Sequence, residues 1–148
     1  MSTTAASPSP TRPAPPETLD DDPPVRLIMS PLDPVEVPET LRVASALDLV
    51  RRLAADHLVT FCRGRVRALA EVDLLRHLED GGSRPALRVD PVSDVARPVT
   101  TIGSEMRRSR AAELLLTQDP PILVVTVGGR PAGLLDAAAV LRSVARGL

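Results

Sequence analysis

Residues 122–142 read ILVVTVGGRPAGLLDAAAVLR, and the fold turns on them. The run from Ile122 to Val127 is apolar and rich in valine, the composition of a buried strand. Gly128-Gly129 turns the chain, and Pro131 to Leu135 reads as the returning strand. Asp136 can cap a helix, in which Ala137, Val140, Leu141 and Val144 recur at helical spacing. The unit is therefore strand, tight turn, strand, helix.

The same unit stands earlier, from Leu58 to Arg76, as LVTFCRGRVRALAEVDLLR. A shift of 65 lays Gly64 on Gly129, Arg65 on Arg130, Val37 on Ile102, Leu41 on Met106, Ala46 on Ala111 and Leu49 on Leu114. One residue is missing from the first copy after Gly64, so Arg76 meets Arg142 at a shift of 66. An internal duplication fixes the architecture, because each copy repeats one supersecondary unit.

Read in order, Val25 to Ser30 is an apolar lead-in and Val35 to Val37 a short strand. Thr40 is placed to cap a helix running to about Ala55, with Ala46, Leu47, Val50, Leu53 and Ala54 on its apolar stripe. Leu58 to Cys62 and Val66 to Ala70 are strands. Glu71 to Glu79 is a helix stopped by Gly81-Gly82, and Ser83 to Pro91 is a linker. The second half follows suit: a lead-in at Val92 to Ala96, a strand at Val99 to Ile102 and a helix from Ser104 to Gln118. Each half is β-α-β-β-α, an α/β (α+β) pattern. A unit this small cannot close its own core, so the two sheets should pack on each other about a pseudo-twofold axis.

The chain has 148 residues, enough for one compact domain built from two small halves. Hydrophobic residues make up 43%, yet no run approaches the roughly 20 residues of a membrane span. The N-terminus lacks a charged-then-apolar signal pattern, and the single cysteine, Cys62, can form no internal disulfide. Both point to the cytoplasm. A net charge of −1 implies no general affinity for nucleic acid, and Phe61 as the only aromatic removes a base-stacking platform. Residues 1–24 hold seven of the 16 prolines and almost no apolar side chains, which predicts a disordered tail. The rest then carries 17 arginines against 15 acids.

Few residues suggest chemistry. Arg107, Arg108 and Arg110 cluster where a helix should begin, the unfavourable end for positive charge. They read as a solvated face attracting the acidic Asp20 to Asp22, or as a phosphate contact. Arg63, Arg65 and Arg67 alternate about Gly64 and could flank an anion or point to solvent. His57, His77 and Cys62 have no metal-ligand spacing, and Cys62 has no evident base partner. Gly128-Gly129 is followed by neither phosphate-loop pattern. No nucleophile–base pair points to an enzyme.

The order of elements, the duplication and above all VVTVGGRPAGLLDAAAVLR resemble a pair of cystathionine-β-synthase (CBS) domains, the tandem called a Bateman module. The lead-ins VRLIMSPLDPVEV and VSDVARPVTTI, and the helices ETLRVASALDLV and SEMRRSRAAELLL, extend the resemblance over about Val25 to Leu148. It implies a regulatory module that binds AMP, ADP, ATP or S-adenosylmethionine in clefts between the halves, and a homodimer. It also implies that a Ser or Thr at the last helix's start contacts phosphate and an Asp three residues later holds the ribose. Here Asp73 stands at the ribose position of the first half, with Ala70-Glu71 in place of the hydroxyl. In the second half Asp136 stands at the hydroxyl position and Ala139 replaces the Asp. The implied ligand-contacting positions are Val37, Leu58 and Asp73 in one half and Thr100, Ile122 and Asp136 in the other, with Asp73's site the better candidate. A second reading is a ligand-free module for dimerisation or for docking a protein partner, reached through the tail.

Overall fold

The computed structural model describes residues 21–80 and 89–148. The expected tail up to residue 20, the Gly81-Gly82 stop and most of the linker lie outside the described residues. After a 3-10 turn at Val25–Leu27 come β1 (Ser30–Pro31), α1 (Val43–Leu53), β2 (Leu58–Cys62), β3 (Arg65–Leu69) and α2 (Glu71–Asp80). A second 3-10 turn at Val92–Asp94 leads to β4 (Arg97–Pro98), β5 (Thr100–Gly103), α3 (Arg108–Leu115), β6 (Ile122–Val127), β7 (Arg130–Asp136) and α4 (Ala137–Ala145). The strands form two sheets, ordered β1-β7-β6-β5 and β2-β3-β4.

Strand alternation sorts the apolar side chains into three cores. Leu123, Val125 and Leu135 face α3 and α4 with Ala111, Leu115 and Ala139. Leu58 and Leu69 face α1 and α2 with Val43, Ala46, Val50 and Leu74. The intervening residues Val59, Ala68, Ile122, Val124 and Leu134 point the other way and meet in a third core between the sheets. Successive side chains on a strand leave by opposite faces. Both sheets are thus covered twice, once by their own helices and once by each other.

The lead-ins cross over. β1 precedes the first half yet pairs with β7 of the second, Ser30 opposite Leu134 and Pro31 opposite Gly133. β4 precedes the second half yet pairs with β3 of the first, Pro98 opposite Arg67 and Arg97 opposite Ala68. Val25 and Ile28 accordingly fill the second half's core, and Val92 and Ala96 the first's. The crossing on β7 needs Gly133: a Cβ there would stand 2.5 Å from Met29 Sδ and 2.8 Å from the Ser30 carbonyl oxygen.

This exchange explains where the helices begin. The sequence places the first helix start near Thr40, but Arg42 is extended and bridges Pro91, with Val43 N–H donating to the Asp90 carbonyl. Likewise Arg107 bridges Pro24, and Arg108 N–H donates to the Pro23 carbonyl, so α3 starts at Arg108 rather than Ser104. Pairing to the incoming lead-in keeps these residues out of helical geometry. The expected strand at Val35 to Val37 is reduced to a bridge, Glu36 to Val59, flanked by hydrogen bonds from Val37 N–H to the Val59 carbonyl and from Val59 N–H to the Val35 carbonyl.

The chain is in place from Asp21, short of the expected tail boundary at residue 24. Asp22 accepts from Ser109 N–H at 2.7 Å and from the Ser109 hydroxyl at 2.6 Å, capping α3. Those two bonds hold the Asp22 carboxyl below its ordinary value. Arg107 donates to the Asp22 carbonyl and Arg108 to that of Asp21. Arg107 and Arg108 are therefore met by the strap, while Arg110 pairs with Glu113 at 3.0 Å.

Candidate functional site

The junction between each hairpin and its helix lies on the seam between the halves. At the first junction Asp73 sits in the opening turn of α2, with its side chain only 7% exposed. Its Oδ2 accepts from Ala70 N–H at 2.8 Å, the back-reaching half of a capping box. Arg97, at the start of β4, approaches it with Nε 3.4 Å from Oδ1 and also donates to Asp119 Oδ1 at 2.9 Å. One guanidinium thus spans from the first half's helix to the second half's loop. It stands over Asp73 at the first junction and provides the carboxylate with a counter-charge.

The second junction is open. Ser30, Pro31, Val35, Ala54 to His57, Ile122, Leu134 and Asp136 line a cleft of about 190 Å³. The pseudo-twofold brings Ser30 here to the place that Arg97 holds in the first half, and the short side chain leaves the space free. Asp136 is the N-cap of α4, its Oδ1 accepting from Ala139 N–H at 2.8 Å. His57 Nδ1 is buried without a hydrogen-bond partner among the described residues. Burial pushes the His57 pKa down, against the pull of Asp56 and Asp136. Arg142, on α4, reaches Ser30 Oγ at 3.4 Å.

Of the six positions singled out from the sequence, Ile122 and Asp136 share this cleft. Asp73 is paired within the first junction. Val37 and Leu58 are buried in the first half's core. Thr100 donates its hydroxyl to Gln118 Oε1. Sequence reasoning passed over Arg97, Ser30, Asp56 and Asp119. The signal for Arg97 lies in the lead-ins: VRLIMSP has Ser30 where VSDVARP has Arg97, each one residue before the proline. Among the described residues no group of three or more His, Cys, Asp or Glu could hold a metal ion. No described helix is long and apolar enough to cross a membrane. Cys62 is a buried thiol whose pKa is raised by burial and by Glu39 beside it.

Two β-α-β-β-α halves with exchanged lead-ins, packed sheet to sheet about a pseudo-twofold, define a tandem module with its clefts on the seam. The comparisons agree. The CBS-pair protein CBSX2 from Arabidopsis thaliana superimposes with a TM-score of 0.70 at 21% identity, over 84% of this chain and 95% of that one. CBSX2 is also known in complex with AMP. The CBS domain of the bacterial CNNM/CorC family Mg2+ transporter superimposes with a TM-score of 0.70 at 20% identity, over 86% of this chain and 77% of that one. It too has a nucleotide complex, with ATP. The chain has the fold of a CBS domain pair. No protein-family model and no curated protein matches the sequence.

Proposed function

We propose that this chain is a regulatory module, not an enzyme, that senses an adenosyl compound in the seam cleft at Asp136. The observation that carries the reading is the asymmetry of the two junctions: Arg97 fills the first, whereas Ile122 and Asp136 line an open second. The AMP and ATP complexes of its structural neighbours support the choice of ligand class. Pro31, Val35, Ile122 and Leu134 offer apolar walls for a flat base. Asp136 spends one oxygen on the helix cap, leaving the other to accept from ribose hydroxyls. The cleft's 190 Å³ is below the ~300 Å³ at the low end of small-molecule sites, so it seats part of a ligand, with the remainder along its mouth.

Charge selects among adenosyl compounds. Asp56 and Asp136 line the cleft, and the Arg142 guanidinium reaches it at its Ser30 edge. Two carboxylates repel a polyphosphate and favour a neutral or cationic ligand. S-adenosylmethionine should therefore bind ahead of AMP, and AMP ahead of ATP. Thermal shift measured by circular dichroism tests the order. Asp136→Asn retains the helix cap but removes the charge, and it should weaken S-adenosylmethionine while improving ATP. No shift with any adenosyl compound at millimolar concentration would dismiss the reading.

A second reading is favoured by the C-terminal end, where Leu141 and Val144 on α4 are 68% and 55% exposed and Leu148, past the helix end, is 47% exposed. Such exposure suits a homodimer or a docked protein that needs no ligand. Light scattering decides it: a ligand-free dimer that Leu141→Arg splits into monomers supports the interaction module, and a wild-type monomer opposes it. The single buried thiol suits a reducing compartment such as the cytoplasm.

A further inference from the structure

The two hairpin turns, at Gly64 and at Gly128-Gly129, border a second opening on the seam, distinct from the cleft at Asp136. It has a volume of about 460 Å³, within the range of small-molecule sites. Phe61, Val66, Val99 and Pro131 form its apolar walls, and Arg65 and Arg67 stand on its rim. The same two arginines, with Arg63, also face an adjoining groove of about 600 Å³. Three guanidiniums thus come from one five-residue stretch of hairpin.

The fold does not require them. The second hairpin follows the same pattern, yet the pseudo-twofold sets Gly128 against Arg63 and Gly133 against Arg67. Arg63 has φ 52°, the left-handed region where Gly128, at φ 58°, is unstrained. An arginine is therefore held at a backbone conformation that the other copy assigns to glycine. Among the described residues neither Arg63 nor Arg65 makes an ion pair, and the one hydrogen bond of Arg67 goes to the Ala96 carbonyl at 3.3 Å. Glu39 and Asp94 line the adjoining groove too, but among the described residues neither pairs with these arginines, whose donors stay available to an anion.

From this geometry we infer a binding site for a small organic anion, a flat apolar body with a phosphate or carboxylate head. The body lies against Phe61, Val66 and Val99. The head sits where the two grooves meet, taken by the planar forks of Arg65 and Arg67, a geometry that matches either group. Arg63 adds attraction from the adjoining groove.

The test uses the full chain and 1-naphthyl phosphate, with 1-naphthoate, inorganic phosphate and uncharged 1-naphthol as comparators. Calorimetry gives the affinity and amide chemical shifts give the place. Both aromatic anions are expected to shift amides in residues 61–68, 99–101 and 126–130, with affinity falling as salt rises. Arg65→Gln, at an exposed side chain with no ion pair to lose, should weaken them roughly tenfold or more while the fold is retained. Arg63→Gln should act in the same direction, more weakly. The inference is overturned if the shifts gather at His57 and Asp136 instead, if Arg65→Gln binds as the wild type does, if 1-naphthol binds as tightly, or if inorganic phosphate alone does.

Discussion

Asp73 offers the sharpest test of how this chain uses its carboxylates. Replacing it with alanine removes the bond that Ala70 N–H donates at 2.8 Å and leaves that part-buried donor unpaired. A lost helix cap costs about 1–2 kcal/mol. The same change ends the contact with Arg97, whose guanidinium is 3.4 Å away and 37% exposed, so that term adds about 1 kcal/mol or less. The sum is a loss of about 1–3 kcal/mol with no ligand present. Asp73→Asn keeps an acceptor for Ala70 and loses the charge, so it should cost about 1 kcal/mol. The sequence has no Trp or Tyr, so urea unfolding is followed by far-ultraviolet circular dichroism. At a urea slope of roughly 2 kcal/mol/M, within the usual range, Asp73→Ala should lower the midpoint by about 0.5–1.5 M. If Asp73→Ala is as stable as the wild type or more so, the carboxylate is not serving the helix, and the account of the first junction given above is wrong.

Two further outcomes are expected. Gly133→Ala sets a methyl group against Met29 and the Ser30 carbonyl, and should cost about 1–3 kcal/mol as overpacking; truncating Met29 as well should restore only part, because the carbonyl remains, and full restoration in urea unfolding would contradict the crossing. For His57 the folded pKa is depressed, so below the ordinary value of 6.5 the unfolded state takes up the proton first. Stability should therefore fall as pH drops through 6.5 toward the lower folded value, and stay unaffected by this group above 6.5. His57→Gln should flatten that part of the profile, and an unchanged slope would remove His57 as its cause.

Much of this architecture was legible in the sequence, because period-two alternation and turn glycines are local signals. VVTVGGRPAGLL shows the hairpin directly, and the shift of 65 shows the second copy. The exchange of lead-ins was not legible. Ser30–Pro31 and Arg97–Pro98 are two-residue strands with no periodicity, and their partners lie in the other copy. The helix starts were displaced for the same reason: nothing local to Arg42 or Arg107 announces a neighbour from the other half. Of the positions that the family resemblance implied, Ile122 and Asp136 line one cleft together. Arg97 was missed because its role depends on which sheet the lead-in joins.

The two junctions share one piece of chemistry between them. A complete reciprocal cap needs an acceptor at the helix start and a second one three residues on. The first half keeps only the later member, Asp73 accepting from Ala70 N–H; the second keeps only the earlier, Asp136 accepting from Ala139 N–H. Each helix therefore has one of its first N–H groups satisfied by a side chain, and each does so with a carboxylate. The difference lies in the counter-charge. Arg97 stands in the first lead-in crossing and Ser30 in the second, so Asp73 faces a guanidinium while Asp136, among the described residues, makes no ion pair and Arg142 bonds to Ser30 instead. A negative group left facing an open cleft favours a ligand that brings positive charge or hydroxyl donors. A serine in one lead-in where the other has arginine thus accompanies an open junction in one half and a closed one in the other.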